Sequence, residues 1–170
     1  WHTVNKETID KMVIRYAEVL LTYAEALYER NGSISDANLD KTVNAVRARG
    51  GLTAKLSNSF VSTNGLDMRE EIRRERTVEF VDENMRYDDI IRWKIAEKVL
   101  PVDILGAKFI ESESDKSLAD VKDLLNADGL YIMEKAETRK FNPAKDYLYP
   151  VPLKEISLSG GAVNQNPGWN

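Results

Sequence analysis

At 170 residues, with 42% hydrophobic and 31% charged side chains, the chain has enough material for one globular domain spanning 1–170. A domain of about 150 residues buries roughly 68–70% of its unfolded surface. The formal net charge of -4 supplies no attraction to phosphate backbones or anionic lipid, so nucleic acid is disfavoured as a partner. Cysteine is absent, which excludes disulfides, thiolate nucleophiles and Cys-ligated zinc within these residues.

The longest apolar runs are only a few residues, far short of the ~20 needed to span a bilayer, so no membrane-spanning segment is expected here. The chain opens at Trp1 without a basic, apolar leader, and we expect it to be a fragment whose targeting signal lies upstream. Residues 8–30 place Ile9, Met12, Val13, Tyr16, Val19, Leu20, Tyr23 and Leu27 at helical spacing, with Arg15, Glu18, Glu25 and Glu29 between them. The periodicity predicts a helix ending at Asn31-Gly32, a pair suited to the left-handed conformation that closes a helix. A second helix is predicted from Ser35, as cap, to Arg49, before Gly50-Gly51; together they make an antiparallel hairpin.

Residues 53–65 are rich in Ser, Thr and Asn, lack periodicity and read as a connector. A third helix is predicted from Leu66, with Asn84 as a break before a fourth that stops ahead of Pro101. Residues 111–117 read as an exposed turn and 117–129 as a shorter helix. The tail, with Pro143, Pro150 and Pro152 among alternating aromatics, reads as extended chain across the helices, with at most one helical turn after it. Two hairpins in series raise the question of a tetratricopeptide repeat, although internal similarity alone does not establish one.

Between residues 73 and 93, Arg76, Glu79, Glu83 and Arg86 follow at steps of three, four and three. On an unbroken helix they share one face, while Val78, Val81 and Met85 gather nearly opposite. A solvated charged face explains this cheaply, each pair contributing ~0.2–0.5 kcal/mol. The sharper structural reading is that the face meets other helices, its arginines bridging carboxylates or helix-end carbonyls. Catalysis would require one carboxylate with a raised pKa, and arginines flanking Glu79 and Glu83 act in the opposite direction.

Other candidates are weaker. His2 is the only histidine and stands at the chain start, which disfavours a Ser-His-Asp arrangement. Arg69, Arg73, Arg74 and Arg76 are interleaved with Glu70, Glu71, Glu75 and Glu79, a neutralised surface more than a nucleic-acid face. Glu111, Glu113 and Asp115 lack the glycine and spacing of a calcium loop and read as a solvated acidic turn.

Three ordered blocks resemble the C-terminal part of the SusD/RagB family of Bacteroidetes outer-membrane nutrient-binding lipoproteins. The first is Arg15 to Leu21 with Tyr23-Ala24-Glu25-Ala26, then Asn44, Val46-Arg47 and Arg49-Gly50-Gly51-Leu52. The second is Glu75, Arg76, Glu79, Glu83, Arg86, Asp89, Arg92 and Trp93. The third is Tyr147 to Pro152 with Glu155-Ile156 and the closing Gln165-Asn166-Pro167-Gly168-Trp169. Residues 53–65 and 100–135 are unmatched; Asn84 stands where the family usually has glycine, and Trp169 where tyrosine is more usual.

The resemblance implies an all-α fold of tetratricopeptide-like helical hairpins with long loops and an extended C-terminal tail. It implies a non-enzymatic protein that binds oligosaccharide or another nutrient at the outer-membrane surface and delivers it to a TonB-dependent, SusC-like transporter. Anchoring through an upstream lipidated cysteine, absent from this chain, follows from the same resemblance. The second block is then a structural signature, and no catalytic residue, metal site or cofactor is expected. No ligand residue is carried over, because family members take their sugar-stacking aromatics from upstream loops. Of the loop-like aromatics Trp1, Phe141, Tyr147 and Trp169, we expect Tyr147 and Trp169 to pin the tail to the helices. The alternative from another class is a helical-repeat interaction scaffold that never touches sugar.

Overall fold

The computed structural model describes residues 13–135 and 140–169, so Trp1, His2, Ile9 and Met12 lie outside the described residues. It is mostly helical, and its contacts divide it into two compact units, one reaching Arg86 and one beginning at Tyr87. Among the described residues no helix is long and apolar enough to cross a membrane.

The first unit contains α1 (Tyr16–Asn31), α2 (Asp36–Lys41), α3 (Val43–Arg49), α4 (Asn58–Thr63) and α5 (Met68–Glu79). Helix α1 packs against α3 and α5. Its core face matches the predicted stripe only in part: Leu20 and Leu27 pack against the core, but the most buried positions are others. Tyr16, Val19 and Tyr23 are 74%, 54% and 53% exposed, whereas Ala17, Leu21 and Ala24 are buried. Helix α1 therefore has two apolar faces, and the one with small residues is inside, where alanines let neighbouring helices approach closely. The helix also starts later than periodicity predicts: Val13, Ile14 and Arg15 precede it, and Arg15 is extended at φ -113°.

The predicted helix from Ser35 to Arg49 is two helices. Ser35 Oγ accepts from the Asn38 N–H at 3.3 Å and opens α2, but Thr42, at φ -123° and ψ -93°, interrupts the run. The Thr42 hydroxyl donates to the Asn38 carbonyl at 2.6 Å, a local bond that competes with the helical ladder. Helix α3 ends in a Schellman turn, in which the Leu52 N–H reaches the Arg47 carbonyl at 2.9 Å and Gly51 takes φ 80°. The segment expected to be a connector contains α4, capped by Ser57 Oγ accepting from the Phe60 N–H at 3.1 Å. Its short length and polar composition conceal it from periodicity.

Asn44 ties this segment to α3. Its side-chain amide donates to the Leu56 carbonyl at 3.0 Å and its Oδ1 accepts the Leu56 N–H at 2.8 Å, next to a fully buried Leu56 side chain. The pair satisfies two backbone groups that have no ladder of their own.

The second unit contains most of α6 (Arg86–Arg92), then α7 (Ala96–Val99), α8 (Leu118–Val121) and α9 (Leu153–Leu158). The predicted fourth helix is split at Lys94, a left-handed residue at φ 56° inside a Schellman turn closed by the Ile95 N–H on the Ile90 carbonyl at 3.2 Å. Lysine in that position gives no sequence signal. A two-stranded antiparallel sheet, β1 (Ile104–Lys108) with β2 (Leu130–Glu134), occupies part of 100–135. Its register is irregular between Ile104 and Lys108, which destroys the period-two pattern that would reveal it. The predicted helix at 117–129 is α helical only over α8 and continues as a 3-10 turn at Lys122–Leu124. Helix α9 has six residues, longer than the single turn expected.

Replacing Asn44 by Ala strands the Leu56 N–H and C=O, and we expect a loss of about 2–4 kcal/mol, the cost of two buried backbone groups left unpaired. Urea unfolding of the variant against wild type measures it; a change below about 0.5 kcal/mol would show that water replaces the side chain without penalty.

Candidate functional site

Helix α5 carries part of its charge inward, with Arg69, Glu70 and Arg74 left exposed. Glu71 and Arg76 are buried along with Met68 and Ile72, while Val78 and the following Val81 are 63% and 71% exposed. The apolar seam of Val78, Val81 and Met85 expected from an unbroken helix does not form, although Met85 packs partly on the core. The helix stops at Glu79, and Asp82 and Asn84 take left-handed φ values of 66° and 63°. Asp and Asn tolerate that conformation because their short polar side chains bond locally. The break falls before Asn84, at Phe80.

The break brings Glu83 back beside Glu79. Both carboxylates meet Arg15, whose Nε and Nη2 donate to Glu83 at 2.9 and 2.6 Å and whose Nη1 donates to Glu79 Oε1 at 2.6 Å. Arg15 Nη2 also donates to the Glu79 carbonyl at 3.0 Å, one of the helix-end acceptors that lack an intrahelical partner. Glu79 Oε1 accepts a second charged donor, Arg49 Nη2, at 2.7 Å. One turn earlier Glu75 Oε2 accepts from Arg47 Nε at 2.8 Å, and Arg76 Nη1 donates to Thr22 Oγ1 of α1 at 3.1 Å. The guanidinium carbons of Arg15 and Arg76 lie 5.4 and 5.0 Å from the Phe80 ring centroid. Carboxylates of α5 thus join the residue before α1 to two arginines of α3.

Electrostatics follow the geometry. Hydrogen bonds from Arg15 hold the Glu83 carboxyl below the usual carboxylate range, and the same bonds from Glu83 and Glu79 push the Arg15 guanidinium up. This is the reverse of what a general acid needs. Arg86 Nη1 donates to Thr77 Oγ1 at 2.8 Å, and Arg92 Nε donates to the buried Asp89 carboxylate at 2.8 Å while its guanidinium lies 4.9 Å from the Trp93 ring.

The remaining candidates are placed elsewhere. Arg69 pairs with Glu29 at 2.8 Å, Arg73 with Glu70 at 3.1 Å and Arg74 with Glu71 at 2.6 Å, so the basic run is neutralised by its neighbours. Glu111 Oε1 accepts the Leu118 N–H at 2.8 Å, and among the described residues no cluster of three or more acidic or histidine side chains is placed to hold a metal.

In the second unit, the two halves of the third sequence block dock on one another. Pro150 and Pro152 have no N–H, so the backbone around Val151 lacks a regular ladder. Gln165 replaces it, its Oε1 accepting the Val151 N–H at 2.7 Å and its Nε2 donating to the Val151 carbonyl at 2.9 Å. Asn166 Nδ2 donates to the Tyr149 carbonyl at 2.6 Å and Trp169 Nε1 to the Leu148 carbonyl at 2.8 Å. Gly168, at φ 80°, is required because a Cβ there would lie 2.6 Å from Lys145 Cβ. Trp169 therefore ties the tail to itself, while the Tyr147 hydroxyl accepts the Ala96 N–H at 3.1 Å at the start of α7. Sequence reasoning missed Arg15, Arg47 and Arg49 as the partners of the acidic residues. The available signal was their presence in the same ordered blocks.

Two outcomes are expected for the ion pairs. Glu79→Ala costs about 2–4 kcal/mol because two arginines lose a part-buried partner, whereas Glu83→Ala, at a more exposed position, costs about 1 kcal/mol or less; equal losses in urea unfolding would contradict the shared-acceptor geometry. With its folded pKa depressed below the ordinary 4.5, Glu83 adds stability that is fully present above that value and disappears as pH falls through the folded value. Carboxyl NMR titration should show the Glu83 midpoint rising towards 4.5 in Arg15→Met.

Residues 2–169 match the SusD family, SusD_RagB. The SusD-like protein P2 of Formosa agariphila is 28% identical over 159 residues, covering 92% of this chain and 25% of that protein. Among solved structures, a SusD-like carbohydrate binding protein of Bacteroides fragilis superposes with TM-score 0.66 at 34% identity, over 85% of this chain and 27% of its own. A SusD homolog of Bacteroides thetaiotaomicron gives TM-score 0.60 at 30% identity, over 92% and 26%. The chain thus spans about a quarter of the length of these relatives. On the family match across nearly all its residues, this chain belongs to the SusD family.

Proposed function

We propose that this chain is part of a protein that binds oligosaccharide at the outer-membrane surface and hands it to a TonB-dependent, SusC-like transporter without chemical change. The observation that carries the reading is the likeness, at 34% identity, to a solved SusD-like carbohydrate binding protein. The ion-pair network supports a binding role over a hydrolytic one. Glu79 and Glu83 are both engaged by Arg15, and the hydrogen bonds from Arg15 lower the Glu83 carboxyl, the opposite of what the acid member of a glycosidase pair requires. In this reading Glu75, Arg76, Glu79, Glu83, Arg86, Asp89, Arg92 and Trp93 have a structural role, and lipid anchoring is supplied by a cysteine elsewhere in the protein. A scaffold without sugar binding draws support from one feature, a hollow of about 440 Å³ along α1 lined by Ile14, Val19, Thr22 and Tyr23.

Calorimetric titration of the intact protein with neutral oligosaccharides should give saturable binding to at least one of them, and a chromogenic glycan should remain uncleaved. Tight capture of the transporter with no binding to any oligosaccharide favours the scaffold. Turnover that disappears in Glu79→Gln or Glu83→Gln would overturn the non-enzymatic assignment.

A further inference from the structure

The folded tail of the second unit leaves a cleft of about 280 Å³, near the lower end, ~300 Å³, of small-molecule sites. Four aromatic rings line it: Tyr87 of α6, Phe141, Tyr149 and Trp169. Asp146 and Lys140 add charge to the same wall. Tyr149 is 75% and Tyr87 42% exposed, although each has a hydroxyl able to reach the other. Phe141 and Trp169 are half-buried, so the cleft has a packed floor and two open rings at its mouth.

The surroundings hold these rings in place before any ligand arrives. Trp169 is fixed by its indole N–H on the Leu148 and Lys145 carbonyls at 2.8 and 3.3 Å, and one ring face is covered by the Lys145 ammonium at 4.3 Å. The Tyr149 carbonyl is fixed by Asn166, and Phe141 stands edge-on to Tyr147 with centroids 4.8 Å apart. Asp146 Oδ2 accepts the Asn142 N–H at 2.6 Å, while Oδ1 lies 4.0 Å from Lys145 Nζ and keeps lone pairs for another donor. Rigid rings with adjacent phenols and a carboxylate fit a ligand that has a flat C–H face and a rim of hydroxyls. We propose that the Tyr87–Phe141–Tyr149–Trp169 cleft binds one neutral hexopyranose residue of an oligosaccharide, stacked on the Tyr149 ring with its hydroxyls towards Asp146 and the phenols. The inference rests on the glycan-binding reading above and assigns it a site within these residues.

The test is fluorine NMR of the intact protein carrying 5-fluorotryptophan, titrated with maltohexaose, cellohexaose and mannohexaose alongside calorimetry. Trp169→Phe identifies the cleft resonance, and buried Trp93 serves as reference. The expected result is that an oligosaccharide that binds moves the Trp169 signal, that Tyr149→Ala weakens this response about tenfold, and that Tyr149→Phe retains it within about threefold, as loss and retention of one ring contact require. Calorimetric binding with an unmoved Trp169 signal and no effect of Tyr149→Ala overturns the cleft while leaving glycan binding intact. No binding to any of the three hexaoses by either method removes both readings together. A Trp169 signal moved only by a protein partner reassigns the cleft to protein recognition.

Discussion

Glu79 ends α5 with a single carboxylate oxygen accepting two guanidinium donors, from Arg15 and Arg49, while its own backbone carbonyl accepts a third bond from Arg15. These bonds tie the start of α1 and the end of α3 to the end of α5. A part-buried carboxylate is tolerated only where cations stand against it, so the residue before α1 and the end of α3 must converge on the end of α5. Glu75 repeats the demand one turn earlier by taking Arg47, and the Arg76 contact with Thr22 brings in the middle of α1. Such pairs add less stability than aliphatic side chains of equal size, but a fork aimed at one acceptor specifies angle and register in a way that leucines do not.

The cost of that choice appears as exposed aliphatic surface. Val78 and Val81 face outward because the inward side of the segment is occupied by Glu71, Arg76 and the carboxylates at 75 and 79. On α1 the alanine face is inside and Tyr16, Val19 and Tyr23 are outside. The charged segment inverts the ordinary expectation that the larger apolar residues mark the core face, whereas α1 splits them, with Leu20, Leu21 and Leu27 on the core and the bulkier Tyr16 and Tyr23 in solvent.

That inversion explains what could be read in advance. The existence of helices at 16–31 and 68–79, the cap at Ser35 and the left-handed stop at Gly32 were legible, because they depend on local chemistry. The core face of α1 was legible only at Leu20 and Leu27, since periodicity alone cannot choose between two apolar faces. The splits at Thr42 and Lys94 were hidden for a similar reason: one depends on a hydroxyl bonding to its own helix, the other on a lysine occupying a position usually given to glycine. The charged stretch was legible as an ordered set, yet its partners Arg15, Arg47 and Arg49 lie 28 to 68 residues away, beyond any spacing rule. The tail blocks were visible as motifs, whereas the open rings of Tyr87 and Tyr149 emerge only when the chain folds back on Gln165, Asn166 and Trp169.

The shared-fork geometry has a consequence for how this protein responds to denaturants. Guanidinium chloride offers Glu75, Glu79 and Glu83 the same planar donors as the arginines that already hold them, at molar concentration, and shortens the Debye length to about 3 Å at 1 M. Urea is uncharged and competes for none of these acceptors in that way. Extrapolations from the two reagents will therefore disagree for this fold, with urea returning the larger stability and the difference measuring how much of the first unit is held by charge.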